Sequence, residues 1–393
     1  MITSFKMEQG TPVKKLNPFS LSVVQKTLVV TMYLFISPML KKFMTDKRYQ
    51  VSMMEKSYMP LNNMQFELIL PKKIIFGNGS VERVGDEAKN LGCESALIVT
   101  SKGMKKREAL KKVIDSLNRE GINSKIFYEV EPEPPIENVH ECMEFAEGCD
   151  LVIGMGGGSV IDVAKKSAAD LSLRKVMIPT TAGTGSEVTH EAVLKVEGKK
   201  RAFVDEKLTP DVAIVDPELM KTMPQKLVAS SGIDALAHAI ECYDSKRSNL
   251  LVKTLAFEAY RIIKDNLRKA VEGDKKGIEN MALGSLIAGM AFGNSGTTLA
   301  HALSYPLSNE GIPHGEAVAM VLPYALEFNG FDAVVIKEVK GILRDLKLGR
   351  EVKGDIEEMA RIVMEDKKHL SNNPREVTYE DVVNIYEKVG KGL

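Results

Sequence analysis

Cysteine is scarce in this chain and follows no pattern: Cys93, Cys142, Cys149 and Cys242 are the only four in 393 residues, and no two stand as C-x-x-C. That excludes a disulfide framework and a thiolate zinc site, and it fits a reducing cytoplasm. Charge of either sign is not in excess. The 53 basic and 53 acidic residues cancel, so nothing in the balance draws the chain to nucleic acid or to an anionic membrane surface. A membrane-spanning run is also missing. The uncharged, largely apolar stretch at 27–40 falls short of the ~20 residues that cross a bilayer, and so long a region ahead of it does not suit a signal peptide. The pattern G-x-x-x-x-G-K-[ST] is absent, which excludes an ATPase-type phosphate loop.

What is present is enough chain for more than one hydrophobic core, so two domains are expected. Residues 1–63 differ in character from the rest and read as an extension outside the core fold, with a docked amphipathic segment or a membrane anchor as the alternatives and Met64 as one possible true start. From there strand and helix signals alternate. Residues 66–70 and 73–77 read as short strands, Ser80 as the cap of a helix running to 91, 96–100 as a buried strand, 105–120 as a helix and 124–130 as a strand. After a proline-rich turn and another helix, 150–159 gives strand, glycine turn and helix start in succession, and 175–178 and 211–217 add strands. This order implies a parallel sheet covered by helices, an α/β dinucleotide-binding domain over 64–221. Beyond it the pattern is helical, an all-helical metal-binding and catalytic domain over 222–393, with 373–381 capping the last helix.

Two loops carry nucleotide chemistry. Gly154-Met155-Gly156-Gly157-Gly158-Ser159 closes an apolar strand and opens a helix, the setting in which glycines let a backbone approach a pyrophosphate while helix amides face its charge. The stretch 179–189, P-T-T-A-G-T-G-S-E-V-T, is small and hydroxyl-rich, suited to ribose, phosphate or amide groups. A third constellation carries metal chemistry. Asp234 and His238 stand at i and i+4 of a helical stretch for which Ser230 and Ser231 offer caps, and His301 and His314 follow in glycine- or proline-marked segments. One carboxylate and three imidazoles suit Fe(II) or Zn(II), not Mg(II) or Ca(II). His140, His190 and His369 read as satisfied or solvated histidines.

Four motifs, G-G-G-S-V-I-D-V-A-K, P-T-T-A-G-T-G-S-E-V-T, G-I-D-A-L-A-H-A-I-E and H-A-L-S-Y-P-L-S-N-E-G-I-P-H-G, occur in an order that resembles the iron-containing (group III) alcohol dehydrogenases of the dehydroquinate synthase-like fold. The resemblance runs from about Phe66 to the last helix. It implies metal ligation by Asp234, His238, His301 and His314. It also implies contacts with NAD or NADP through Gly157, Gly158, Ser159, Asp162, Thr180, Thr181, Thr189 and Lys200, and a homo-oligomer acting on a small alcohol or aldehyde. The chain departs from the family at three places: Ser101, followed by Lys102, replaces a frequent aspartate; Glu133 replaces an asparagine; and Tyr305 replaces a second histidine. Ser101 and Lys102 favour NADP, and Tyr305 is a candidate proton carrier. No lysine or arginine lies between Leu299 and Tyr324, which favours a neutral substrate over the phosphate-bearing ones of glycerol-phosphate dehydrogenases or dehydroquinate synthase. Transhydrogenation between a hydroxyacid and an oxoacid is the other alternative.

Overall fold

The computed structural model describes residues 65–348 and 354–391, and the expectations placed on residues 1–63 lie outside them. Short runs rich in valine and isoleucine form strands where both sheet faces are covered. Among the described residues the strands are β1 (Lys73–Phe76), β2 (Ser95–Val99), β3 (Asn123–Phe127), β4 (Leu151–Gly156), β5 (Arg174–Pro179), β6 (Glu191–Val196), β7 (Lys199–Val204) and β8 (Val212–Val215), and β2, β4 and β8 show that pattern most clearly. Six of them make one sheet in the order β1-β8-β5-β4-β2-β3, and every pairing in it is parallel.

Helices α1 (Val84–Asn90) and α2 (Glu108–Arg119) cover one face, and α3 (Ile136–Phe145) and α4 (Gly158–Asp170) the other. Strand periodicity divides β2 between them: Ile98 packs with Val84, Val113 and Leu117, while Leu97 and Val99 pack with Val139, Cys142 and Ile161. All are essentially inaccessible to water, and each such side chain contributes about 1.5–3 kcal/mol by its burial. From β2 the chain steps outward to β3 and then crosses back to β4 on the other side of β2. The strand order therefore reverses between β2 and β4, and the crevice at their carboxyl ends, where Ser101 and the glycine turn lie, is the position at which such sheets take ligands.

Four local expectations change. Residues 66–70 are not a strand: the Asn294 side chain takes the place of a neighbouring strand, its Oδ1 accepting from the Ile69 N–H at 2.6 Å and its Nδ2 donating to the Ile69 carbonyl at 3.2 Å. An unforeseen antiparallel hairpin, β6 with β7, follows the hydroxyl loop, turning through Glu197 and Gly198, both at positive φ (52° and 77°) as a tight hairpin turn requires. Ser80 does not cap a helix but donates to the Val215 carbonyl. Ser230 and Ser231 lie inside a helix that starts earlier, after Pro224, and their hydroxyls bond back to the Leu227 carbonyl.

From residue 225 the chain is helical: α5 (Gln225–Asp244), α6 (Leu250–Val271), α7 (Lys275–Phe292), α8 (Leu299–Asn309), α9 (His314–Asn329), α10 (Ala333–Leu346), α11 (Ile356–Glu365), α12 (Lys367–Asn372) and α13 (Tyr379–Gly390). Thr378 caps α13 in a reciprocal box with Asp381, within the predicted 373–381. The sheet half and the helical half meet where Gly185, at φ +58°, lies against Gly289 of α7. A Cβ on Gly185 would stand 2.6 Å from the Gly289 Cα, so only glycine allows the hydroxyl loop this close to the helices. Among the described residues no helix is long and apolar enough to cross a membrane.

Candidate metal and cofactor site

The metal-capable residues converge because three helices begin or cross at one point. Asp234 and His238 share a face of α5. His301 stands in the first turn of α8, and His314 is the first residue of α9. Gly315 makes the last placement possible, since a Cβ there would lie 2.1 Å from the carbonyl oxygen of Ser230, one turn before Asp234. As a result the Nε2 atoms of His314, His301 and His238 stand 3.4, 3.5 and 3.8 Å from Asp234 Oδ1. Donors about 2.1 Å from a common tetrahedral centre are separated by about 3.4 Å, so this spacing fits a first-row divalent ion. Asp234, His301 and His314 form the tight group, their donor atoms all within 4.8 Å of one another. His238 stands slightly farther out, its ring stacked on Phe292 and His301 at 4.1 and 4.7 Å.

Asp234 Oδ1 and His301 Nε2 are buried without a hydrogen-bond partner, a costly state for polar atoms unless they ligate an ion. Protonation agrees with that reading. Burial works against the charge on Asp234, but the surrounding imidazoles outweigh it and hold the carboxyl well below its usual range. Burial lowers His238 to about 4 and also lowers His314, leaving neutral rings with free lone pairs. His301 goes the other way: burial opposes its charge, yet Glu241 and Asp234 together raise it to about 10. The two carboxylates thus call for positive charge at this point, which a proton or a metal cation supplies.

Glu241 escaped the sequence reading. It follows His238 by three and Asp234 by seven positions, so it shares their helical face, and that spacing was the available signal. One oxygen accepts from the Thr298 N–H, the Thr298 hydroxyl and the Ala300 N–H at 3.2, 2.7 and 2.8 Å, which caps α8, and the other accepts from His301 Nδ1. Nδ1 therefore carries the proton and Nε2 presents its lone pair to the centre. Glu241→Gln is expected to lower affinity for the metal roughly 10–100-fold, which competition with a chelator measures; unchanged affinity would show that Glu241 only caps α8.

At the sheet crevice the glycine turn packs beneath the hydroxyl loop. A Cβ on Gly158 would come 2.7 Å from Thr184, whereas at Gly157 it would only reach ordinary contact with Thr181, so the turn stays open above Gly157. The first amides of α4 have no intrahelical partner and suit a pyrophosphate. Thr180 is buried and Thr181 half-buried at the same edge, and the Ser159 hydroxyl accepts from the Glu133 N–H at 3.3 Å.

Three residues expected at the cofactor, Asp162, Thr189 and Lys200, also have partners within the protein. Asp162 Oδ1 accepts from the Ser186 hydroxyl at 2.5 Å and Oδ2 from the Val193 N–H at 2.9 Å. The fully buried Lys165 donates to the Ser186 carbonyl and to the Thr189 hydroxyl at 2.8 and 3.0 Å. Together they tie the hydroxyl loop and the hairpin to α4. Lys200 pairs with Glu133 at 2.7 Å, and its ammonium lies 5.8 Å from the Tyr305 ring centre. Tyr305 in turn lies 6.1 Å from the His314 ring and 5.4 Å from His369, itself buried and bonded to Asp366 at 2.6 Å.

Residues 71–217 match the family described as iron-containing alcohol dehydrogenase, and residues 228–351 match that family's C-terminal domain. The chain belongs to the iron-containing alcohol dehydrogenase family. It is 34% identical over 382 residues to lactaldehyde reductase of Escherichia coli (strain K12), a match covering 82% of this chain and 99% of that protein. With long-chain-alcohol dehydrogenase 1 of Geobacillus thermodenitrificans it shares 39% identity over 287 residues, 66% of this chain and 73% of the relative. The crystal structure of sulfoacetaldehyde reductase from Bifidobacterium kashiwanohense in complex with NAD+ superposes with a TM-score of 0.78 at 30% identity, covering 84% of this chain and all of the other. Like its family, this alcohol dehydrogenase is an oxidoreductase acting on the CH–OH group with a nicotinamide cofactor and a divalent metal.

Proposed function

We propose that Asp234, His238, His301 and His314 hold the metal, and that the enzyme interconverts a small neutral alcohol and its aldehyde or ketone. The observation that carries the reading is the set of three imidazole nitrogens 3.4–3.8 Å from one buried carboxylate oxygen. When bound there, a divalent ion supplies Lewis acidity toward the substrate oxygen, and the nicotinamide supplies or accepts the hydride. The chain's own residues do the rest. Asp234 contributes charge, Glu241 fixes the His301 tautomer, and the open glycine turn with Thr180 and Thr181 holds the dinucleotide in the crevice. Tyr305, beside His314, is placed to orient the substrate hydroxyl. As a proton carrier it is less well suited, because burial, and then the surrounding carboxylates, push its phenol well above its ordinary value. Lys200 positions Glu133 at the same edge.

A panel of aliphatic aldehydes, glycolaldehyde-type hydroxyaldehydes and phosphorylated aldehydes, assayed with NADH and NADPH, tests the substrate class; preference for a phosphorylated aldehyde would overturn it. We also propose the division into an α/β domain over 64–221 and a helical domain over 222–393, a homo-oligomeric assembly that light scattering checks, and a cytoplasmic site of action, which four buried free cysteines support. Residues 1–63 are proposed to lie outside the catalytic fold. A chain starting at Met64 is accordingly expected to be soluble and to keep kcat within about twofold of the full chain; its failure to fold would show that the extension packs on the core.

A further inference from the structure

The second residue of β5 is Lys175. Only 9% of it is exposed, and its ammonium, which has no hydrogen bond or ion pair with any described residue, remains within reach of solvent. A lysine is seldom buried without a partner. Asp211, the acid beside it, is already engaged: Oδ1 pairs with Lys72 at 2.9 Å and Arg174 at 3.2 Å, and Oδ2 accepts the Lys175 backbone N–H at 3.1 Å. Lys175 lines a groove of about 680 Å³ together with Lys72, Arg174 and Lys207. The same groove is lined by Thr209, whose buried hydroxyl also has no hydrogen-bond partner. The groove thus offers an unpaired cation that solvent reaches and, in its wall, one unsatisfied hydroxyl.

Four cationic side chains and two acidic ones, Asp211 and Glu206, leave the lining at net +2. The carboxyl end of α4 adds about half a negative charge at the wall formed by Ala169, and the groove remains positive. We propose that this groove is a binding site for a phosphate group, free or carried by a small metabolite. A phosphate carries about −1.5 to −2 charge near neutral pH and several strong acceptors, which answers the net charge of the lining and the unpaired ammonium; a lone carboxylate would answer only half of that charge. The volume lies in the range of small-molecule sites. The site is separate from the cofactor crevice, because Arg174 and Lys175 start β5, and in a parallel sheet the amino ends lie opposite the carboxyl ends where the glycine turn sits.

The test is calorimetric titration of the full chain with inorganic phosphate, under saturating NADH to fill the dinucleotide site and at ionic strength held constant with chloride. One phosphate per chain is expected, with affinity reduced roughly tenfold or more by Lys175→Met and severalfold by Lys207→Ala. Both variants should reduce aldehyde at the wild-type rate in phosphate-free buffer, which shows that they fold. Absence of binding to the wild type, unchanged affinity in Lys175→Met, or acetate binding as tightly as phosphate would overturn the proposal. Should Lys175→Met fail to fold, unchanged affinity in Lys207→Ala, an exposed side chain, overturns it equally. Glucose 6-phosphate in place of phosphate distinguishes the two sources: tighter binding assigns the site to a phosphorylated metabolite, weaker binding to the free ion.

Discussion

His314→Ala is expected to lower kcat at least about a thousandfold and to deplete bound metal, while NADH binding stays within about twofold of wild type. The loss corresponds to about 4 kcal/mol, the scale of charge stabilisation that a Lewis acid supplies at a developing oxyanion. His314 is the informative ligand to remove because its side chain is 30% exposed, against 8% or less for His238 and His301, so truncation forfeits little packing. Its ring sits at the first residue of α9, and helix propensity favours alanine there, so the fold should survive. Metal content by mass spectrometry, nucleotide binding by NADH fluorescence and helicity by circular dichroism separate the outcomes. Near-normal turnover with full metal content would remove His314 from the ligand set.

The second large effect concerns cofactor choice. Ser101→Asp should raise the KM for NADPH about 5–150-fold while changing that for NADH little, a differential of roughly 1–3 kcal/mol between a new carboxylate and the 2′-phosphate. Ser101 follows the carboxyl end of β2, at the point where strand order reverses. The surroundings now visible strengthen the case. Glu133, which would repel a 2′-phosphate, is held by Lys195 and Lys200, both at 2.7 Å, and despite the opposing effect of burial these lysines keep its carboxyl below the ordinary value. Lys102 pairs with Glu129 on the open surface, a contact that solvent and salt weaken, so its ammonium is available to a phosphate nearby. Equal effects on both cofactors, or a wild-type enzyme that ignores NADPH, would contradict the assignment.

The metal constellation was legible in the sequence because helical spacing alone sets Asp234 beside His238, and Pro313 and Gly315 around His314 mark a helix start, where a side chain can point into a cleft. The sheet was legible because its strands are short apolar runs separated by helices. Other features depend on partners far along the chain. Asn294 replaces a strand beside residues 66–70 from 225 positions away, and Glu241 becomes a ligand-orienting group only once α8 delivers His301 Nδ1 to it. The hairpin from Glu191 to Val204 was readable from its Glu-Gly turn, but a strand-helix alternation expects no antiparallel pair there. Asp162 and Thr189 stand in motifs that suggest ligand contact, and Lys165 draws both into the support of the loop, because a buried ammonium collects every acceptor within reach.

One ion, held by the Asp234 carboxylate and three imidazoles, is what turnover requires of the helical half. The most direct measurement is to strip the full-length enzyme with a chelator, then titrate Fe(II) back anaerobically, and Zn(II) in a parallel sample, while recording aldehyde reduction and NADH fluorescence together. Stripped enzyme is expected to bind NADH without turning over, and activity to return in proportion to metal up to one ion per chain. Full activity in verified metal-free enzyme, or a requirement for a second ion, would contradict it.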